Sequence, residues 1–157
     1  PRCYAWIIPD RLAVAERPGG GGRSNRRERR SAELDWWRSH GVVAIVSAKS
    51  SRHGLAEYVE GGFLARWHPI GDVASARAEL PALVATVREL LETPGVTAVL
   101  VHCDSPGEWL AAVDAALRLG LGLARTRRAA LRAAEADGLP VGSIATSIVG
   151  RPNSAAA

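Results

Sequence analysis

Val96-Thr97-Ala98-Val99-Leu100-Val101-His102-Cys103-Asp104-Ser105-Pro106-Gly107-Glu108-Trp109 joins a continuous apolar run to a short turn and then to the start of a helix. Val96 to His102 has the unbroken, β-branched character of a strand buried on both faces, since a strand with one wet face would alternate polar and apolar residues. Beyond the turn, Trp109, Leu110, Val113, Ala116 and Leu117 recur at helical spacing from about Glu108 to Leu119. A buried strand leading through a tight loop into an apolar-faced helix is the unit of a parallel α/β sheet. In such sheets, sites form outside the carboxyl ends of the strands. His102 to Trp109 therefore marks the candidate site.

Upstream of this unit, Thr93-Pro94-Gly95 ends a helix read from Glu79 to Glu92, whose Leu80, Leu83, Val84, Val87, Leu90 and Leu91 form one stripe. Phe63 to Ile70 reads as a short strand, and Val42 to Ser47 (VVAIVS) as another buried one. Ser31 is placed to cap a helix through about His40, with Leu34, Trp37 and the neighbouring Trp36 as inward candidates and Gly41 as the stop. Tyr4 to Pro9 reads as an entry strand. Downstream, Ala124 to Ala136 gives an Arg- and Ala-rich helix. This alternation predicts a three-layer α/β fold with a mostly parallel central sheet flanked by helices. Residues 1–150 are expected to form a single domain carrying a Gly/Arg-rich loop at 19–30, followed by a flexible tail at 151–157.

The length of 157 residues and the 47% hydrophobic content suit one core of ordinary size. The longest apolar runs are too short to cross a bilayer and no charged-then-apolar leader opens the chain, so a cytoplasmic protein without a membrane partner is expected. The absence of Met, at position 1 included, reads as a processed or trimmed chain or a fragment. Cys3 and Cys103 cannot build a disulfide framework, and reduced thiols are the expectation. His40, His53 and His68 are scattered along the chain, so neither a metal nor a cofactor is expected. The formal charge of +4 is local. Residues 19–30, GGGGRSNRRERR, hold Arg23, Arg26, Arg27, Arg29 and Arg30 against Glu28, and the remaining chain carries 15 basic and 15 acidic residues. Such a segment has little to bury and reads as a surface loop. It is either a solvated run or, by charge alone, a docking site for a polyanion or an acidic partner.

The strand ending in Val101-His102-Cys103, followed by a tight loop and a helix, resembles the phosphate loop of the cysteine-based dual-specificity and protein-tyrosine phosphatases, which share the pattern H-C-x5-R followed by Ser or Thr. Other pieces agree in order. Tyr4 to Ala13 is similar to that family's entry strand and its P-x-x-L-A turn, and Gly41 to Ser47 is similar to the strand after its first helix. His68-Pro69-Ile70-Gly71-Asp72 falls where the dual-specificity enzymes carry a general-acid aspartate, 31 residues ahead of the cysteine. The similarity spans roughly residues 4 to 120. It implies a cysteine-phosphatase-like fold with Cys103 as nucleophile and Asp72 as acid. In an active member the loop amides and the helix N-terminus lower the thiol pKa and cradle the phosphate, which an arginine clamps in bidentate fashion.

This loop departs from that plan. The arginine position is Trp109 and the hydroxyl position is Leu110. The glycine expected three after the cysteine is Pro106, which has no N–H to donate. Asp104 and Glu108 are expected to put carboxylates in or beside a cradle meant for a dianion. Losing the guanidinium clamp alone costs about 3 to 5 kcal/mol of transition-state stabilisation. Arg118, more than two helical turns beyond Trp109, is too distant to replace it. Trp109 is expected to fill the space of arginine and substrate, and His102 to order the loop by hydrogen bonding. For Cys103, a small buried residue at a strand end and a vestigial nucleophile remain open; for Asp72, a helix cap and a general acid do. The leading expectation is thus a catalytically impaired member of the phosphatase superfamily that binds a protein or a small phosphorylated ligand. The alternatives are a weak phosphatase served by another arginine, from Arg125 to Arg128 or from the Gly/Arg loop, and a polyanion-binding module using Arg23 to Arg30.

Overall fold

Along strand β5 (Ala98–Cys103), Val99, Val101 and Cys103 pack into one apolar cluster while Ala98 and Leu100 pack into another, and all six residues are buried. Successive side chains point to opposite faces of a sheet, so this central strand has helices on both sides. The computed structural model describes residues 1–21, 25–104 and 107–150. The other strands are β1 (Tyr4–Ile8), β2 (Leu12–Glu16), β3 (Val42–Ser47) and β4 (Leu64–Trp67), and the sheet order is β1-β2-β5-β3-β4. The β2, β5, β3 and β4 strands are mutually parallel and only β1 runs antiparallel to its neighbour. The expected three-layer, mostly parallel α/β architecture is the one observed.

Helices α1 (Arg26–Ser39) and α2 (Leu55–Glu60) cover one face. There Leu34, Trp37 and Tyr58 meet Ala13, Ala15, Ile45 and Leu100. Trp37 is fully buried among the rings of Tyr4, Trp6 and Trp36, with centroids 5.5, 5.9 and 4.9 Å away. Helices α3 (Val73–Glu92), α4 (Glu108–Gly120), α5 (Arg127–Ala136) and α6 (Ser143–Val149) form the other layer, over Leu12, Val14, Ala44, Val46, Val99 and Val101. No helix among the described residues is long and apolar enough to cross a membrane.

Several boundaries differ from those the sequence predicts. Arg26, Arg27, Arg29 and Arg30, expected in a loop, form the first turns of α1, which starts five residues before Ser31. Helix α3 begins at Val73 rather than Glu79 and runs through Pro81, whose exposed position leaves only a solvent-facing carbonyl without its helical donor. Strand β2 was hidden behind its own hairpin turn, where Asp10 has a φ of 58° and Arg11 N–H bonds Ile8 C=O at 3.0 Å. The short helices α2 and α6 have too few residues for a periodic signal. Arg23, Ser105, Pro106 and the tail 151–157 lie outside the described residues.

Candidate functional site

The period of two along β5 sends Cys103 and His102 to opposite sides of the sheet, into two different environments. Cys103 is 4% exposed and opens on a cavity of about 140 Å³. Its walls come from the β3 and β4 ends (Ala48, Ser50, Ile70, Gly71), from α3 (Ala76, Leu80), from α4 (Trp109, Ala112, Val113) and from Ile148 of α6, with Asp104 at its edge. No arginine lines it among the described residues. Trp109, the second residue of α4, thus lines the same cavity as the thiol.

Burial pushes the Cys103 thiol up to about 12, and the carboxylate of Asp104 adds to the shift. This is the reverse of what a nucleophilic cysteine requires, since the thiolate is the reacting form. The two expected carboxylates part company. Asp104, half exposed, forms an ion pair with Lys49 Nζ at 3.6 Å. Glu108 Oε1 accepts from the backbone N–H of Ile144 at 3.1 Å and of Ala145 at 3.4 Å, so it caps the start of α6. Gly142 lies directly against the same carboxylate, so a side chain there would displace it.

Asp72 is the N-cap of α3. Its Oδ1 accepts from Ser75 N–H at 2.7 Å while Ser75 Oγ accepts from Asp72 N–H at 3.0 Å, a reciprocal capping box. These bonds from Ser75 hold its carboxyl below the usual range, favouring the ionised form that cannot donate a proton. Among the described residues it is Gly71, and not Asp72, that lines the Cys103 cavity. None of Arg125 to Arg128, nor an arginine of the Gly/Arg loop, lines this cavity among the described residues. Arg118 bridges Asp114 at 2.7 Å and Asp137 at 2.6 Å, tying α4 to the end of α5. Arg77, beside the lining Ala76, donates Nε to Ser147 C=O at 3.0 Å. Arg127 opens α5, followed by Arg128.

His102 is fully buried on the α1/α2 side, with Nε2 3.0 Å from Tyr58 Oη. Burial, aided by Lys49 and Arg17, drives its pKa down to about 3 and keeps the ring neutral. Its side-chain bond to Tyr58 ties the end of β5 to α2, together with backbone bonds from Ala48 N–H to His102 C=O at 2.8 Å and from Arg17 N–H to Cys103 C=O at 2.9 Å. Tyr58 is also part of the wall of a second cavity of about 130 Å³, lined by Arg17, Arg26, Arg30, Lys49 and His53. Of these only Arg26 and Arg30 carried a signal in the sequence, as members of the Arg run. Arg17, Lys49 and His53 are isolated in the text and meet only because they follow β2 and β3, whose ends lie on either side of β5. No cluster of His, Cys, Asp or Glu that could hold a metal occurs among the described residues.

No family model matches the sequence, and no curated protein matches it. Solved structures do. Tk-PTP in its active form superposes with a TM-score of 0.62 at 18% identity, over 96% of this chain and 99% of that one. Human DUSP28 with a point substitution gives 0.57 at 18% identity, over 98% and 88%. The kinase associated phosphatase KAP, with its catalytic cysteine changed to serine, gives 0.54 at 20% identity, over 92% and 88%. The chain therefore has the fold of the protein-tyrosine and dual-specificity phosphatases.

Proposed function

We infer that this chain is a phosphatase-fold protein that does not hydrolyse phosphoesters and acts by binding a protein or a phosphorylated ligand. The observation that carries this reading is that Cys103 and Trp109 line one cavity on which no arginine opens among the described residues: the thiol is buried and held protonated, and the position of the clamp is an indole. Catalysis of phosphoryl transfer rests on positioning and on neutralising charge in the transition state, and neither is available there. Asp72, spent as a helix cap, supplies no proton. The test is turnover of para-nitrophenyl phosphate by the full chain and by Cys103→Ser. Equal, background rates are expected. Turnover that vanishes with the thiol would overturn the reading and favour a weak phosphatase.

A further inference from the structure

The second cavity is lined by arginines and a lysine. The side chains around it come from separate segments: Arg17 follows β2, Lys49 and His53 follow β3, and Arg26 and Arg30 project from the first two turns of α1. No acidic residue lines it among the described residues. Two of the cations already have partners at the periphery, Arg30 with Glu57 and Lys49 with Asp104. Arg17 does not: its Nε is buried and has no hydrogen-bond partner among the described residues. A buried guanidinium donor is costly to leave unsatisfied, so its position beside other cations points to an acceptor that arrives from outside.

The backbone is shaped to hold these charges together. Gly19 has a φ of 75°, and a Cβ there would come within 2.9 Å of Arg26 C=O and of Arg30 Cβ. A Cβ at Gly20 would come within 2.9 Å of Arg17 C=O. These glycines let the turn after β2 pack directly on the start of α1, which brings Arg17 to Arg26 and Arg30. Part of the glycine run is therefore a packing device for the basic cavity.

We propose that this cavity binds the phosphate group of a small phosphorylated ligand. Three arginines, a lysine and Tyr58 line one volume, a set of donors that suits a tetrahedral dianion with many acceptor sites better than a single carboxylate. The enclosed volume of about 130 Å³ accommodates one such group and not a polymer backbone. Anion binding, expected from Arg23 to Arg30 as an extended basic run, is thereby assigned to a defined pocket with Arg17 as its buried donor. The inference does not depend on whether Cys103 is inert. Tyr58 connects the pocket to the candidate site, since its hydroxyl reaches His102 Nε2, next to Cys103.

The test is a titration of the full chain with inorganic phosphate, chloride being adjusted to hold ionic strength constant, followed by the NMR signals of arginine Nε–H groups and the His102 ring. Saturable binding in the range of roughly 10 mM or tighter is expected, with the Arg17 Nε and His102 signals moving together. Arg17→Gln and, independently, the exposed Arg26→Gln are expected to weaken it by about tenfold or more each, while Cys103→Ser leaves it unchanged. Circular dichroism of the Arg26→Gln protein guards against misfolding, because this side chain lies on the outer surface of α1. Shifts that grow linearly without saturation, or a response abolished by Cys103→Ser and untouched by Arg26→Gln, would overturn the proposal.

Discussion

Trp109 and His102 carry the chemistry of this site by what they exclude. An arginine six residues after the cysteine would bring a permanent charge to the loop and draw the thiol pKa down; the indole brings apolar surface and leaves burial to push it up. On the other face of β5, His102 folds in its neutral form, with a pKa near 3 against an ordinary 6.5. The unfolded chain therefore takes up a proton first as pH falls. Stability from the neutral ring is complete above 6.5 and drains away between 6.5 and 3. Between about pH 7 and pH 5 the denaturant midpoint of the parent chain is expected to drop relative to that of His102→Gln. Asp114, raised to about 7 by burial, has the opposite sign, and its contribution cancels in that comparison because it is present in both proteins. Equal slopes would show that His102 titrates alike in the folded and unfolded chain.

At the scale of elements, helix α4 is the part on which both site and core depend. Leu110, at the position where an active loop places a hydroxyl, is fully buried in the larger apolar cluster. Leu110→Ala is expected to cost about 2–5 kcal/mol by urea unfolding, and a loss below about 1 kcal/mol would contradict its role in the core. Helix α3 starts from its Asp72–Ser75 capping box. Asp72→Ala is expected to lower the melting temperature while Asp72→Asn, which keeps an acceptor, largely preserves it. If instead both variants melted alike, the cap would not be what Asp72 supplies. The sequence shows α4 almost to the residue because its stripe is long and its start follows a turn. It hides the first turns of α3 because Pro81 resembles a start signal when read alone, and it hides the start of α1 because a run of glycine and arginine carries no apolar period.

Over the whole molecule, the buried strands β3 and β5 and the stripes of α3 and α4 made the layered α/β architecture legible, since continuous β-branched runs and helical periods follow from burial itself. The loop after Cys103 was legible as a departure, residue by residue. Two things were not. The destination of Glu108 depends on α6, which is 36 residues downstream of it and too short to announce itself. The basic cavity depends on strand order, which brings the ends of β2 and β3 to the two sides of β5 and so gathers Arg17, Lys49 and His53 from distant parts of the chain. What unites these observations is a phosphatase fold whose cysteine is a core residue in its protonation state. The most direct measurement is the pH dependence of Cys103 alkylation by iodoacetamide in a Cys3→Ser background, followed by mass spectrometry. The rate is expected to stay low and to keep rising with pH past about 9, as a thiol held near 12 requires. A plateau at or below about pH 7 would reveal a thiolate poised for attack and contradict the account.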